Sequence, residues 1–341
     1  MAINIRRREF ISALGCAALA GEAAMIVWPR RVFAQTHSEI PRIAILLVGD
    51  EGDPESRAFV AAFEQGMRAS GRTEGVDVRL DYRWAGTDPQ RATTAAAAVA
   101  GLHPTVIVTV GSATTIAMHR ATSTIPIVFS VVSDPVDQGL VSNLAHPGGN
   151  ITGFSNSEPG MGGKWLELLK EIAPHTVRVA VMFNPGTSPH TELLERSVEH
   201  ASPSFKVNVI RAPVHDDREI EAVFERIAGA PNGALLVPSD SFTFFRSKMI
   251  VALAAKYRLP AIYSFRRFVE DGGLVDYGVD PYEQLRSAAS YADRIIKGDK
   301  PSDLPVQQPT KYTLLINLKT AKALGLEIPP SLLALADEVI E

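Results

Sequence analysis

From Ile40 onward the chain alternates short β-branched runs with amphipathic stretches, the rhythm of strands and helices in a mostly parallel sheet. Parallel neighbours cannot be joined by a tight hairpin, so each strand must return through a crossover, usually a helix. The apolar runs predict strands near 42–48, 76–84, 105–110 and 126–131. Helices are expected over 55–70, 89–102 and 112–122, with a shorter one after Pro135.

The segment "PGGNITG" at 147–153 breaks this rhythm with two glycines and a proline, a composition that permits a chain reversal and resists helix or strand. A first boundary is placed there. A second α/β unit follows, with helices over 160–173, 189–201, 216–229 and 242–258 and strands over 177–183, 206–211, 234–238 and 260–263. "DGGLVDYG" at 271–278 is a further strand framed by glycine, followed by a helix over 281–297 and a proline-punctuated stretch, "KPSDLPVQQPTKYTLLIN". A last helix ends at Gly325 before Pro329 and Pro330. Three such breaks between two similar units indicate a chain that passes repeatedly between two lobes: 35–151 with about 275–305, and 152–274 with about 306–341.

The first residues, "MAINIRRREFISALGCAALAGEAAMIVWPRRVFAQT", have a basic head, a weakly apolar stretch and the small-x-Ala pattern Val32-Phe33-Ala34. This reads as an export signal cleaved after about Ala34, with Arg7 and Arg8 resembling a twin-arginine motif. An uncleaved anchor is the alternative reading, opposed by Glu22 in mid-segment. Cys16 is the single cysteine of 341 residues, so the chain after the cut has no thiol for a disulfide, a thiolate metal site or a nucleophile. The formal net charge of -4 disfavours nucleic acid as a partner.

In open α/β sheets ligands bind beyond the carboxyl ends of the strands, and here those positions are small and polar. Gly111 permits a tight turn into Ser112, Ala113, Thr114 and Thr115, whose free N–H groups at a helix start suit an anion; plain capping is the competing reading. Ser133 and Asp134 end one strand. Asn184, Asp240 and Tyr263-Ser264 end strands of the second unit, and Asp134 and Asp240 stand at matching places in the two rhythms. Asp276 interrupts an apolar strand, where a buried carboxylate needs a partner. Helix capping is the alternative for both Asp134 and Asp240. Trp84, Phe154, Phe244, Tyr263 and Tyr277 are candidates for an apolar pocket wall, each equally at home in a core.

Enzyme motifs fail on spacing. Gly163-Lys164 lacks the first glycine and the hydroxyl residue of a phosphate loop, and neither G-x-G-x-x-G after the first strand nor G-x-S-x-G occurs. The eight histidines show no ligand-pair spacing, and most are assigned to surface or loops, without a metal.

The stretches "ATSTIPIVFSVVSDPVDQGLVSNLAHPGGNITGFS", "KWLELLKEIAPHTVRVAVMFNP", "YRLPAIYSFRRFVEDGGLVDYG", "ASYADRIIKGDKPSDLPVQQPTKY" and "LLINLKTAKALGLEIPPSLLALADEVIE" together resemble the exported substrate-binding proteins of ABC transporters, in the subfamily that includes tryptophan/tyrosine-type binders. The resemblance runs from about Ile40 to the C-terminus. It implies a two-lobed type I periplasmic-binding fold with three interlobe crossings, a monomer in the periplasm without cofactor or catalysis. Such a protein closes on a small ligand and presents it to an ABC permease and its ATPase. The ligand implied is an amino acid or similar carboxylate, with Ser112, Ala113, Thr114, Ser133 and Asp134 contributed by one lobe and Asn184, Asp240, Tyr263 and Asp276 by the other. Relatives carry Ser where this chain has Asp276, and the added negative charge implies an amino-bearing or cationic ligand. A periplasmic sensor subunit or an exported α/β enzyme are the rival readings; a DNA-binding repressor is opposed by an export signal in the place of a helix-turn-helix.

Overall fold

The computed structural model describes residues 40–156 and 160–341; the expected export signal, with its cut at about Ala34, lies outside the described residues. The first lobe is built on a five-stranded sheet of β1 (Arg42–Leu47), β2 (Arg79–Trp84), β3 (Val106–Val110), β4 (Ile127–Val132) and β5 (Ile151–Ser155), in the order β2-β1-β3-β4-β5, with all neighbours parallel. Its crossovers include α1 (Pro54–Ala69), α2 (Pro89–Ala100) and α3 (Ser112–Ala121). Two of these start alike, because Asp53 and Asp88 are each followed by proline and accept a hydrogen bond from the backbone N–H two residues on. The carboxylate satisfies one free donor and the proline sits where its missing N–H is harmless.

The chain then enters α4 (Met161–Ile172) and a seven-stranded sheet of β6 (Arg178–Phe183), β7 (Asn208–Pro213), β8 (Gly233–Val237), β9 (Ala261–Tyr263), β10 (Val275–Gly278), β11 (Thr313–Asn317) and β12 (Glu338–Ile340). The order is β7-β6-β8-β9-β10-β11-β12, and only β11 meets its neighbour β10 antiparallel. Around it lie α5 (Thr191–Phe205), α6 (Asp217–Ala228), α7 (Ser241–Phe244), α8 (Ser247–Tyr257), α9 (Arg266–Glu270), α10 (Pro281–Ile296), α11 (Leu318–Leu324) and α12 (Pro330–Leu335). Of these, α10 leaves the second sheet and packs on α1, β3 and β4 of the first lobe. The chain therefore crosses three times: after β5, between β10 and α10, and before β11.

The strand orders match one to one, β1 to β5 with β6 to β10. This corrects the pairing expected for the two aspartates: Asp240 follows β8, the counterpart of β3, whereas Asp134 follows β4, the counterpart of β9. Two crossings also move. Gly148 and Gly149 do reverse the chain, with φ of 73° and 62°, but the reversal feeds β5 into the first sheet, so the boundary falls after Ser155 and not at 151. Likewise β10 pairs with β9 and β11, so 275–278 belongs to the second sheet and the return to the first lobe begins beyond it.

Two helices differ from expectation. The segment 242–258 is two helices, α7 and α8, with Phe245 at the break pressed against Gly49 of the first lobe. No helix follows Pro135: Gln138, Gly139 and Leu140 donate back to the carbonyls of Asp134, Val136 and Pro135 in a set of tight turns.

Candidate functional site

The carboxyl ends of β3, β4, β8 and β9 point at one cleft between the lobes. It holds two adjoining chambers, of about 170 Å³ and about 30 Å³, and His190 and Ser239 line both. The larger takes Ser133, Asp134 and Asp137 from the first lobe, and Trp165, Leu193, Leu194, Ser264, Tyr277 and Tyr312 among others from the second. The smaller is bounded by Gly111 and Ser112 on one side and Asp240, Phe244 and Phe265 on the other.

Asp134 reaches the larger chamber because β4 is bent on its way there. Val131 has φ 58° and the pairing of β4 with β5 shifts register between Phe129 and Val132. A β-branched residue in the left-handed region is a true outlier, and here Gln284 of α10 holds it: the Val131 N–H donates to Gln284 Oε1 at 3.1 Å while Gln284 Nε2 donates to the Ser155 carbonyl at 2.7 Å. Asp134 itself has φ 45°, again a conformation its L side chain resists and which the following proline further restricts. Gln138 fixes this turn, donating from Nε2 to the Ser133 carbonyl and, at 3.2 Å, to Ser112 Oγ. The Asp134 carboxylate has no hydrogen-bond partner among the described residues, and burial together with the neighbouring Asp137 pushes its pKa up to about 6.

The lobes are linked across the cleft floor by hydroxyl and amide groups. Ser133 Oγ donates to Asn156 Oδ1 at 2.7 Å, and Asn156 Nδ2 donates to Ser239 Oγ at 2.7 Å. At the far lip the lobes meet directly: the Glu55 carboxylate accepts from Arg267 and from the Tyr282 hydroxyl, and the rings of Phe59 and Phe244 lie 6.0 Å apart.

The remaining expected site residues divide by what their polar atoms do. Ser112 lines the smaller chamber, and α3 starts at Gly111, φ 88°, with no side-chain cap. Thr114 is buried with its hydroxyl turned back on the carbonyls of Val110 and Gly111, at 2.6 and 3.0 Å, and neither it nor Ala113 lines a chamber. Asp240 lines the smaller chamber, but its carboxylate accepts from the Thr187 hydroxyl, from Asn184 N at 2.9 Å and from Phe242 N at 3.0 Å. Burial raises its pKa against these bonds, which lower it. Asn184 closes its own loop, accepting from the N–H groups of Gly186 and Thr187.

Tyr263 is core: its ring stacks on Phe268 at 4.5 Å, away from both chambers. Asp276 is 1% exposed and behind the chamber wall, where a Cβ on Gly278 would come within 3.3 Å of its Oδ1. Burial drives its pKa well above the usual carboxylate range, only partly countered by Arg266. Of the aromatic candidates, Tyr277 and Phe244 line chambers; Trp84, Phe154 and Tyr263 do not.

Among the residues the sequence reading missed are three that line a chamber, His190, Trp165 and Tyr312, and one that pins the Asp134 turn, Gln138. His190, one of eight histidines read mostly as surface or loop residues, is buried at 7% exposure, and burial pushes its pKa down to about 4, so it is neutral. It lies at the end of the Asn184 loop, just before α5, so extending the strand-end rule two residues past Ser188 would have found it. Trp165 and Tyr312 come from a helix and a crossing, where that rule does not look. Gln138 sits inside the turn mistaken for a helix. Trp165 Nε1 donates to the Tyr277 carbonyl at 2.8 Å, and the Tyr277 and Tyr312 rings stack at 5.6 Å, giving the chamber an aromatic wall fixed by the crossings themselves.

Such a cavity between two lobes can enclose a small molecule with an apolar body and a few polar groups. Comparison with known proteins agrees. A conserved domain protein of Vibrio cholerae O1 biovar El Tor superposes with a TM-score of 0.81 at 28% identity, covering 88% of this chain and all of the other. An ABC domain of Streptococcus pneumoniae in complex with L-Trp shares the fold, with a TM-score of 0.79 at 23% identity over 88% of this chain and 99% of that one. A "tyrosine-binding protein" of Clostridioides difficile strain R20291 is 26% identical over 276 residues, 81% of this chain and 77% of the relative. The family model for ABC transporter substrate binding proteins matches residues 48–340, and the chain, a two-lobed type I periplasmic-binding fold, belongs to that family.

Proposed function

We propose that this protein is the periplasmic solute-binding component of an ABC importer, which encloses an amino acid or similar small amino-bearing ligand between its lobes and delivers it to a permease. The observation that carries the reading is the larger chamber, which draws polar side chains from both lobes and aromatic ones from the second. A ligand there bridges the lobes, so it stabilises the closed arrangement over any open one. Asp134 and Ser133 receive the amino group, Trp165, Tyr277 and Tyr312 hold an aromatic or branched body, and the chain acts as a monomer without catalysis. Support for an amino-acid ligand comes from the tyrosine-binding relative and the L-Trp complex.

A thermal-shift screen of the exported chain against amino acids, small carboxylates, polyamines and nucleosides tests this, since a ligand of the native state raises its apparent stability. Amino acids are expected to give the shift, with compaction in small-angle scattering on saturation. A shift from nucleosides alone, or saturation without compaction, overturns it.

A further inference from the structure

We propose that the ligand of this cleft carries a net positive charge: an amine whose charge is not cancelled by a carboxylate of its own. The inference rests on the reading that the ligand occupies the interlobe chambers, and it concerns the balance of charge there.

Among the described residues, the side chains lining the two chambers include three carboxylates, Asp134, Asp137 and Asp240, and no lysine or arginine. Asp240 is committed to the donors of its own loop. Asp134 and the exposed Asp137 are not, and both face the larger chamber. His190 does not offset them, because burial keeps its ring neutral. Two further buried groups in the same chamber want a polar ligand: the Ser264 hydroxyl, 4% exposed, and His190 Nδ1, on a residue 7% exposed, have no hydrogen-bond partner among the described residues. Buried polar atoms are rarely left unpaired without a partner to come. The aromatic wall adds to the same preference, since ring faces attract cations.

A zwitterion also brings a carboxylate, and the cleft receives it poorly. Three helix starts without a side-chain cap face the cleft: that of α3 opens on the smaller chamber of about 30 Å³, space for about two waters on a scale where one needs ~10–15 Å³, and those of α4 and α5 on the larger, but backbone N–H groups bring only partial positive charge against the two full carboxylates there. The room for a ligand lies on the acidic side. A carboxylate placed there meets Asp134 and Asp137, and like charges in a partly dry cavity repel strongly. An amine, an amino-acid amide or a basic amino acid fits the charge as it stands.

Isothermal titration of the exported chain with matched probes separates the possibilities. Each set holds a parent amino acid, its amide, its decarboxylated amine and its desamino acid, with indole, phenol, branched aliphatic and guanidino side chains. Within the set that binds, the amide and amine of net charge +1 are expected to bind about tenfold tighter than their zwitterion; in the guanidino set the comparison is of arginine, net charge +1, with its desamino acid, net charge zero. Asp134→Asn is expected to cut the affinity for the +1 member about tenfold and Asp137→Asn, more exposed to screening, about threefold. Glu221→Gln, a surface change on α6, leaves it unchanged. If a neutral amino acid binds tighter than its amide and amine in every binding set, the charge inference falls while the cleft reading stands. If no probe of any set binds, the cleft reading falls and takes the inference with it.

Discussion

Four Asp-Pro pairs occur in this chain, and three of them do one thing while the fourth does another. Asp53, Asp88 and Asp280 are extended, with φ between -73° and -106°, and each cups the N–H two residues on to start a helix. Asp134 has φ 45°, starts no helix, and leaves its carboxylate unpartnered at a chamber wall. Local sequence is nearly the same; what differs is the strand in front. β4 is bent at Val131 and its turn is pinned by Gln138, so the proline that elsewhere opens a helix here follows a residue already turned the wrong way. Asp240 sharpens the contrast. It too faces the cleft, yet its oxygens are consumed by the Asn184 loop and α7. A carboxylate that is satisfied holds the fold together, and one that is strained and unsatisfied is available to a ligand.

The largest effect is expected where the carboxylate is architecture. Asp240→Ala leaves Asn184 N, the Thr187 hydroxyl and Phe242 N without their acceptor in a buried place, and should lower unfolding free energy by about 3 kcal/mol or more. Urea denaturation measures it. A loss under 1 kcal/mol would move Asp240 to the side of Asp134.

The second effect is the part of the pH dependence that His190 contributes. Its pKa in the fold is about 4 against an ordinary value of 6.5. The native state prefers the neutral ring, so the unfolded chain binds the extra proton between these values. Stability is complete above pH 6.5 and falls as pH drops toward 4, by roughly 3 kcal/mol for a fully buried ring. Asp134 acts oppositely: its pKa is raised to about 6 from 3.8, so its share of stability is present below pH 4 and lost as pH rises through 6. Half-exposed, it contributes the lesser slope. Relative to the parent, His190→Gln should lose this acid destabilisation, so that the opposite slope carried by Asp134 and by the buried Asp240 and Asp276, whose pKa values are also raised, stands out more steeply in chemical denaturation from pH 4 to 7.

Much of this was legible in the sequence, for reasons that can be named. Strands such as "RIAILL" and "VIVTV" are buried on both faces, so continuous apolar runs mark them, and Gly111 marks its turn because a side chain there would be strained. The lobe exchange was legible as three breaks in rhythm, but not their places, since Gly148-Gly149 reverses a chain equally well inside a lobe. The turn after Pro135 was not legible, because the bend of β4 that leads into it is held by Gln284, 153 residues on from Val131. Tyr263 was read as a site residue by its position at a strand end, and Asp276 as a carboxylate interrupting an apolar strand. The alternation of β9 and β10 turned both side chains away from the chambers, a matter of register that one sequence does not reveal.

The third effect returns to the aspartates that cap. Asp53→Ala and Asp280→Ala each remove one charge-assisted bond to a helix N-terminus, worth about 1 kcal/mol, with ligand affinity little changed. If either variant abolishes binding instead, helix starts on the first lobe are part of the site and the contrast with Asp134 is too sharp.

The smallest stability effect is expected at the residue with the largest effect on binding. Asp134→Asn keeps the shape of the side chain and removes a half-buried charge that Asp137 repels, so unfolding free energy at pH 7 should stay within about 0.5 kcal/mol of the parent or rise slightly. The strained backbone stays, since Gln138 and Gln284 hold it and asparagine tolerates the left-handed region at least as well as aspartate. Affinity for the ligand identified by titration should nevertheless fall about tenfold. The pair of measurements matters more than either alone: a loss of stability as large as that of a capping aspartate would mean that Asp134 is holding the turn, and its freedom to meet a ligand would be lost with it.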